Sequence, residues 1–437
     1  MSGSRILLLG VDKYLLRACA RHGVRPVVAQ SAVAFDEGLT EVPPGVPRVR
    51  VDDVTDPASV LAALHRADLV GEPFDAVLTS IEVAVVNAAL LSVHFGCAGL
   101  DPVVALHCRD KALQKTRVRD AGIDTARFEI IEDICDTADY AQLPFERAVL
   151  KPIAGAATAN TVLIDDIGVL HEQFAHLRAE RPQERAFLLE EFVPGEEWVV
   201  DGVIHEGEVL FFALGVYSSP PLDVVANNLA LEMRRFDPER EEWAYRLAEP
   251  VVRTAVSALG LSSGVFHMEL FHHNGTLVFC ECAARRGGAL THEEVQAKFN
   301  VDLGECAVLC ALGRRPDLVV KVRSDAIGGT NLLGVPGTLI DCPTPANLQA
   351  LPGVEFARVQ QPFGTQIAPG MRSTGQRLGQ VLVAADTEQA LVARMAEVRQ
   401  WFADRLLVVP SDSTKRERRA WQRRNWPEAD FGEVLWG

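Results

Sequence analysis

Several features that would narrow the class of protein are missing from this sequence. No apolar run reaches about 18 residues, so no segment is predicted to span a membrane. The chain passes from Met-Ser-Gly-Ser directly into an apolar strand at Arg5, without the pattern of a signal peptide. Its nine cysteines contain no C-x-x-C pair of the kind that binds zinc. The odd number of cysteines and the missing signal peptide predict a cytoplasmic protein with reduced thiols.

Positive charge is also scarce. The 437 residues include 43 Lys and Arg against 59 Asp and Glu, which gives a net charge of −16. This balance argues against nucleic acid as the main partner, although an anionic substrate would still require a local group of cations. A basic run in the tail at 411–437 is interleaved with Trp421 and Trp426. It predicts a solvated helix that packs its tryptophans on the body of the protein.

The glycine pattern of a Rossmann dinucleotide site is absent, because Gly10 stands without a surrounding G-x-G-x-x-G. Strands and helices nevertheless alternate in the first hundred residues, which predicts a small parallel-sheet domain. Its predicted strands are 5–9, 27–29 and 76–79, and its predicted helices are 13–22 and 83–95.

The pattern changes twice along the rest of the chain. After a predicted helix at 107–122, strands dominate, and the small residues of 153–160 are typical of a loop that lies over a ligand. After about residue 315, Pro-Gly pairs punctuate a third unit with an amphipathic helix at 387–404. The predicted strands of these two regions are 149–152, 161–164, 187–193, 198–205, 208–214, 265–271, 277–282, 318–323, 328–334 and 379–384.

Two glutamates, Glu269 and Glu281, stand inside otherwise apolar strands of a predicted hairpin. A three-residue loop at 274–276 would make them face each other, with Cβ atoms about 5 Å apart, whereas a two-residue turn would put them on opposite faces. Facing carboxylates repel each other unless a cation lies between them, and Mg²⁺ is the natural cation beside phosphates. The alternative is a pair of edge-strand glutamates in water. Arg285 and the pair Gly287-Gly288 follow at once and favour a ligand site.

Four motifs in order resemble the ATP-grasp superfamily from Arg5 to about Leu407. They are Arg109-Asp110-Lys111, Leu150-Lys151-Pro152, the segment Glu190-Glu191-Phe192-Val193-Pro194-Gly195, and the carboxylate hairpin. The resemblance implies an α/β (α+β) protein with the ATP-grasp fold. Its expected parts are an N-terminal Rossmann-like domain at 1–105, an ATP-grasp domain at 106–315 with a lid at about 125–189, a C-terminal α/β domain at 316–410, and the basic tail.

The resemblance also implies roles for individual residues. Two lysines would contact the nucleotide phosphates beneath a mobile loop that contains Thr158, and a hinge would hydrogen-bond adenine. Glu197 falls where the ribose hydroxyls bind. The implied nucleotide-binding residues are Lys111, Lys151, Thr158, Glu190, Glu191, Val193 and Glu197, the implied magnesium ligands are Glu269 and Glu281, and the implied catalytic residue is Arg285.

The sequence departs from the family pattern at two positions, and the first departure bears on which branch of the superfamily it resembles. The family usually has Glu-x-Asn at the second acidic ligand, and here Ala283 replaces the asparagine. Some amino-acid ligases of the superfamily have a small residue there and keep the arginine, so the segment Glu281–Arg285 resembles that branch. The segment Ser373–Leu382 is similar to the C-terminal domain of such ligases. The phosphate loop has a single glycine, Gly155, where relatives often have two or three.

The function implied by this resemblance is ATP-dependent ligation of a carboxylate to an amine through an acyl phosphate, with an amino acid as at least one substrate. The expected cofactors are ATP and Mg²⁺, with Mn²⁺ as an alternative. The expected partners are the small-molecule carboxylate and amine, and a homodimer is allowed. Three alternatives stay open: a purine-pathway ligase, a biotin-carboxylase-like enzyme and a nucleotide-binding sensor without catalysis.

Overall fold

The computed structural model describes residues 3–36, 42–134, 140–180, 185–359 and 364–425. Of the predicted basic tail at 411–437, Trp426 and the residues after it lie outside these ranges. The chain divides into two compact units: the first comprises 1–216 and 235–323, and the second comprises 217–234 and 324–437. The first unit therefore contains both the predicted N-terminal domain and most of the predicted ATP-grasp domain. Within the described ranges, no helix is long and apolar enough to cross a membrane.

The secondary structure elements are numbered in chain order. The strands are β1 Arg5–Leu9, β2 Arg25–Ser31, β3 Arg48–Val51, β4 Ala76–Thr79, β5 Phe128–Ile131, β6 Ala148–Pro152, β7 Val162–Ile164, β8 Phe187–Glu191, β9 Glu196–His205, β10 Glu208–Tyr217, β11 Glu232–Arg235, β12 Gly264–His273, β13 Thr276–Ala283, β14 Ala326–Leu332, β15 Gly337–Asp341, β16 Val354–Val359, β17 Gln366–Ile367, β18 Gly379–Ala385 and β19 Leu407–Val409. The helices are α1 Lys13–Arg21, α2 Ala32–Asp36, α3 Pro57–Arg66, α4 Val85–Phe95, α5 Pro102–Arg109, α6 Lys111–Asp120, α7 Ile167–Glu180, α8 Pro221–Ala226, α9 Glu242–Leu259, α10 Thr291–Phe299, α11 Leu303–Ala311, α12 Pro345–Gln349, α13 Glu388–Ala403 and α14 Lys415–Asn425. A 3-10 turn, Glu82–Ala84, precedes α4.

The first unit opens with the predicted parallel sheet, in the order β3-β2-β1-β4. The chain winds from β1 to β2 and β3 on one side and then returns to β4 on the other. The carboxyl ends of β1 and β4 therefore border a topological switch point, where open α/β sheets form their binding crevices. Gly10 ends β1 with φ of +85°, and a Cβ there would lie 2.2 Å from the Ile81 side chain, so the position requires glycine.

The single helix predicted at 107–122 is wrong. The structure has two helices, α5 and α6, that meet at Asp110. Asp110 has extended dihedral angles, φ −91° and ψ 109°, and its carboxylate accepts hydrogen bonds from the backbone N–H groups of Ala112 and Leu113. It is the N-cap of α6. This break places Lys111 in the first turn of a helix.

The segment predicted as a lid forms a separate antiparallel sheet in the order β5-β8-β6-β7. Helix α7 lies on it, and Phe174 and Leu177 join its hydrophobic core. The larger antiparallel sheet of the first unit has the order β13-β12-β9-β10. Trp198 and Phe266 from this sheet are fully buried among apolar residues of α9.

The hairpin of β12 and β13 has a different turn from the predicted one, but Glu269 and Glu281 face each other as predicted. The turn has two residues, Asn274 and Gly275, with φ of +49° and +78°, because Asn-Gly favours the type I′ turn. Such a turn alone would put the glutamates on opposite faces. A bulge at Cys280 adds one residue to β13, so Glu269 pairs with Glu281 as expected.

The second unit contains the sheets β11-β14-β18-β16 and β17-β15-β19, with α13 packed on β14 and β18. Trp421 of α14 packs near Ile340 and Val409, as predicted for a tail tryptophan. The predicted strand 318–323 is wrong. The N–H groups of Lys321 and Arg323 bond to carbonyls at the end of α10, in the first unit, instead of to a strand.

Candidate functional site

Three carboxylates share one face of the larger sheet. Glu197 on β9 lies two residues from Val199, which pairs with Glu269, and Glu269 pairs with Glu281. Residues paired across neighbouring strands point to the same face, so all three carboxylates face one side. Glu197 is 7% exposed. Burial and the negative charges of Glu269 and Glu281 raise the pKa of Glu197 well above its usual range.

Lys111 contacts this carboxylate group from the start of α6. Its ammonium lies 2.8 Å from a Glu281 oxygen and donates a hydrogen bond of 3.2 Å to the Gly155 carbonyl. Burial alone would raise the pKa of Glu281, but Lys111 and Lys151 overcome this effect and lower it to about 2. Lys111 thus joins the carboxylate hairpin to the loop predicted to cover a ligand.

A buried pair of lysines shares the carboxylate of Glu190 on β8. The ammonium of Lys151 lies 3.0 Å from one Glu190 oxygen, and that of Lys115 lies 3.2 Å from the same oxygen. Burial opposes ionisation of Glu190, yet the two cations lower its pKa. Burial lowers the pKa of Lys115, although Glu190 partly offsets the effect. The sequence motifs did not include Lys115, which is fully buried.

The bulge in β13 is held from α6. Lys115 donates to the carbonyl of Cys280, the extra residue of the bulge, at 3.0 Å. Gln114 accepts from the N–H of Cys282 at 2.8 Å. These two contacts fix the backbone of β13 where its register shifts, and so help to set the side of the sheet that Glu281 occupies.

The loop after β6 adopts an uncommon backbone conformation. Ala157, Thr158 and Asn160 all have φ between +54° and +59°, although none of them is glycine. Such conformations are sparsely populated by L residues and concentrate where the backbone serves a ligand. The predicted phosphate loop thus contains a strained segment that includes Thr158.

The predicted hinge follows directly from β8. The carboxylate of Glu191 lies 2.7 Å from Arg127, and its N–H donates to the Arg127 carbonyl. The N–H of Phe192 donates to the Arg147 carbonyl at 3.0 Å. The Glu190 and Glu191 side chains are therefore engaged by protein cations, and a hinge contact with adenine would rest on the backbone near Val193.

Arg285 follows β13 and meets the parallel-sheet domain. Its guanidinium lies 2.5 Å from the carboxylate of Glu82, which also binds Arg109 at 2.7 Å. The first contact is ionic, since its atoms are not aligned for a hydrogen bond. Arg109 donates to the carbonyls of Ala154 and Gly155 in the loop after β6. Glu82 thus connects Arg285 to the predicted phosphate loop.

Arg286 is held by a different acid. It binds Asp12 at 2.6 Å, and its guanidinium lies 5.0 Å from the centre of the Tyr14 ring. Tyr14 in turn stacks on His292 of α10. Burial would raise the pKa of Asp12, but Arg286 lowers it. Both arginines of the loop are therefore tied to the end of the parallel sheet where its binding crevice is expected.

A buried ionic network lies beneath this loop. Asp201 binds His267 at 2.8 Å and Arg235 at 2.7 Å, and Arg235 binds Glu294 at 3.0 Å. Burial would raise the pKa of Asp201, but His267 and Arg235 lower it to about 2, whereas burial prevails at Glu294 and raises its pKa to about 7. A Cβ on Gly287 would lie within 2.8 Å of Asp201 and His267. Glycine is therefore needed at this position, because the loop backbone lies directly against the network.

The comparisons with known proteins agree with this geometry. Residues 145–294 match the model of the ATP-grasp domain. Over 80% of the chain and 85% of the relative, the sequence is 24% identical to an L-arginine-specific L-amino acid ligase of Bacillus subtilis. The chain contains an ATP-grasp domain.

Solved ATP-grasp structures share the fold. One is an L-amino acid ligase from Bacillus licheniformis, with a TM-score of 0.74 and 19% identity over 94% of this chain and all of that chain. Another is the carboxyaminoimidazole ribonucleotide synthase of Aspergillus clavatus in complex with ATP, with a TM-score of 0.66 and 15% identity over 92% and 99% of the two chains. This ATP-grasp protein is an ATP-using enzyme of the type that forms carbon–nitrogen bonds.

Contacts and electrostatic interactions bring residues from several motifs of the ATP-grasp protein together. Lys111, Lys151, Glu190, Glu197, Glu269 and Glu281 form one continuous electrostatic group. Reasoning from the motifs gave no role to five further residues that contact the site, each separated in sequence from the residue that it holds. These are Glu82, Arg109, Lys115, Asp201 and Arg235. Glu82 and Asp201 are charges inside apolar stretches, Arg109 lies in one of the four motifs, and the polar segments around Lys115 and Arg235 give no comparable signal.

Proposed function

We propose that this enzyme is a carboxylate–amine ligase that activates a carboxylate as an acyl phosphate and joins it to an amine, with an amino acid as at least one substrate. The observation that carries the proposal is the continuous path of contacts from the carboxylate pair to Arg285. It runs from Glu281 to Lys111, through the Gly155 carbonyl to Arg109, and through Glu82 to Arg285. This path supports a site in which a phosphate-binding centre and a second anion-binding group act together.

The two-step chemistry follows from charge. A carboxylate oxygen attacks the γ-phosphorus of ATP, the bond to the bridging oxygen breaks, and ADP leaves. The reacting groups are both anions, so Lys111, Lys151 and Arg285 lower the barrier by neutralising charge as it moves. The amine nitrogen then attacks the carbonyl carbon of the acyl phosphate. Phosphate departs with the electron pair, and the amine loses a proton as the amide forms.

The carboxylate pair is suited to a divalent cation. Glu269 and Glu281 supply facing oxygen ligands, and their negative charges add to burial in raising the pKa of the neighbouring Glu197. Within the part of the chain that the structure describes, no group of three or more His, Cys, Asp or Glu side chains forms a metal cage. This donor set fits Mg²⁺, which takes few carboxylates and completes its shell with phosphates and water; Mn²⁺ is the alternative. When bound, the ion neutralises phosphate charge. Ala283 supplies no amide oxygen for a second ion.

Water must be kept from an acyl phosphate, since hydrolysis would waste the ATP. We assign this role to the four-stranded sheet β5-β8-β6-β7 and the loop at 153–160. We also assign the enzyme to the cytoplasm, supported by its cysteines: the eight that lie in the described ranges are all free of disulfides.

Release of ADP that depends on amino acids is the first test. Pairs of amino acids are screened with ATP and Mg²⁺, and ADP, phosphate and the amide product are measured together. Equal amounts of the three products support the ligase. ATP binding with no stimulation by any carboxylate or amine favours the nucleotide sensor, and stimulation by bicarbonate or by a nucleotide-like amine alone favours the two other enzymes.

Replacement of Arg285 tests its catalytic role. Because it would act on charge in transit, we expect Arg285→Ala to bind ATP within about tenfold of wild type but to lose at least about a hundredfold in turnover. Arg246→Ala is the control, since Arg246 is exposed and pairs with its helix neighbour Glu242. Normal turnover by Arg285→Ala with the best substrates of the screen would remove this residue from the mechanism.

A further inference from the structure

A cavity of about 180 Å³ lies within the first unit beside the arginine loop. It is bordered by Thr79 and Ser80 at the carboxyl end of β4, by α4, and by the end of α11, and Arg285 forms part of its wall. The cavity lies at the β4 side of the switch point of the parallel sheet, next to the place where the fold offers a ligand crevice. The hairpin contributes Gly264 and Val265 to the wall, but its carboxylates and the lysine pair do not line the cavity.

The wall of the cavity is mostly apolar. Aliphatic side chains from several elements line it, including Leu78, Val85, Ala88, Ala307 and Ala311. Among the described residues that line the cavity, the side chains charged at neutral pH are Arg285 and Arg286, and there is no carboxylate. Such a wall fits a ligand with a hydrocarbon body and an anionic end.

We propose that this cavity holds the side chain of the amino acid whose carboxylate is phosphorylated, and that this acyl donor has a branched or aromatic hydrocarbon side chain. The inference rests on the ligase function proposed above. The carboxylate of the donor would lie at Arg285, while its side chain would enter the space between α4 and α11. Each buried methylene group then improves apparent affinity by about fourfold.

The same wall predicts which donors are rejected. An arginine or lysine side chain would bring a cation into a mostly apolar space whose wall has no carboxylate, because Glu82 and Asp12 outside that wall are already paired with Arg285 and Arg286; burial of the cation is therefore costly. Glycine would bind without clash but would leave the cavity unfilled. The preferred donor of this enzyme would therefore differ in charge from L-arginine, the substrate in the name of the Bacillus subtilis relative.

Filling the cavity tests the inference. Ala311 is the last residue of α11, is half-buried and lines the cavity, so Ala311→Leu adds hydrocarbon at its wall. Ala258 of α9 is also half-buried but is not part of the wall, so Ala258→Leu is the matched control. The KM values of wild type and both variants are measured for glycine, alanine, valine, leucine, phenylalanine and arginine as donors, at saturating ATP and a fixed amine.

For wild type, we expect KM to fall about fourfold per added methylene from alanine to leucine, and arginine to be at least tenfold poorer than leucine. Ala311→Leu should raise the KM for leucine and phenylalanine at least tenfold and leave those for alanine and ATP within about twofold. The Ala258→Leu values should match wild type. The wild-type series alone overturns the inference if arginine is preferred or if KM does not depend on side-chain size.

Calorimetric titration of leucine or phenylalanine into the ADP-bound enzyme separates this inference from the proposed function. One outcome is that Ala311→Leu weakens leucine or phenylalanine binding at least tenfold but the enzyme never forms an amide. That outcome would support the cavity assignment and overturn the proposed ligase function. Amide formation with donors whose binding ignores Ala311→Leu would support the ligase and overturn the cavity assignment.

Discussion

The carboxylates of Glu197, Glu269 and Glu281 create an electrostatic conflict that the protein only partly resolves. Lys111 neutralises Glu281, and the Nε2 atom of His267 lies 3.6 Å from Glu269. Among the described residues Glu197 forms no ion pair of its own, and burial, together with the charges of Glu269 and Glu281, raises its pKa despite the opposing effect of Lys151 and His267. A site left with excess negative charge binds a cation more tightly, which is the property that the proposed magnesium site requires.

Neutralising either hairpin carboxylate tests the metal assignment. We expect Glu269→Gln and Glu281→Gln each to lose more than about a hundredfold in turnover, above the 10–100-fold typical of residues that only support a ligand. Turnover is measured as ADP release against Mg²⁺ and Mn²⁺ concentration, with thermal unfolding to check the fold. Glu242→Gln, at an exposed helix position, is the control and should match wild type. Near-normal activity of either hairpin variant would refute its role as a ligand.

At the scale of elements, the loop after β13 depends on two adjacent glycines with different surroundings. A Cβ on Gly287 would lie 2.5 Å from Thr291, 2.7 Å from His267 and 2.8 Å from Asp201, whereas a Cβ on Gly288 would meet no atom within 4 Å. Neither glycine has a left-handed backbone, so space alone distinguishes them. Gly287 lets the loop with Arg285 lie against the buried ionic network.

Alanine at these two positions should therefore act differently. We expect Gly287→Ala to displace the loop and reduce turnover ten- to a hundredfold, the scale of a shift of about one ångström in a catalytic group, with ATP affinity retained. Gly288→Ala should stay within about twofold of wild type. Steady-state turnover and ATP titration of the two proteins make the comparison. Equal losses would mean that packing against Asp201 and His267 does not position Arg285.

For the molecule as a whole, the buried network links stability to pH. Burial raises the pKa of Glu294 from about 4.5 to about 7, so the folded state holds this proton more tightly than the unfolded chain does. As pH rises from about 4.5 to 7, the unfolded chain ionises first, and the folded state loses stability. This pKa shift corresponds to a decrease in the free energy of unfolding on the order of 3 kcal/mol over that pH range.

Glu294→Gln removes this titration and should change the pH profile in a defined direction. The unfolding temperature of the variant minus that of wild type should grow as pH increases from 5 to 8, by several degrees. A constant difference reflects only the lost ion pair with Arg235, so the slope is the measurement. A difference that is flat or that shrinks over this range would contradict the raised pKa. Glu242→Gln again serves as the exposed control.

The sequence by itself determined the residue types of the site and the class of fold. Local patterns suffice for these, because a strand buries alternate residues and a helix buries one face. The strands that contain Lys151 and Glu269 were predicted correctly, as was the parallel sheet of the first domain; the strand predicted at 198–205 begins earlier, at Glu196, and so includes Glu197. The match to the ATP-grasp family followed from motifs whose order is a property of the chain alone.

Tertiary structure decided how those residues are paired. Glu269 faces Glu281 because a bulge at Cys280 offsets the two-residue turn, and that bulge is held by Gln114 and Lys115 from a helix more than 160 positions earlier. Likewise, Glu82 meets Arg285 across about 200 residues. Contacts of this kind depend on how layers pack, and a buried charge is affordable only where packing supplies its partner. The hydrophobic periodicity of the sequence does not indicate which distant residue will pair with a given buried charge.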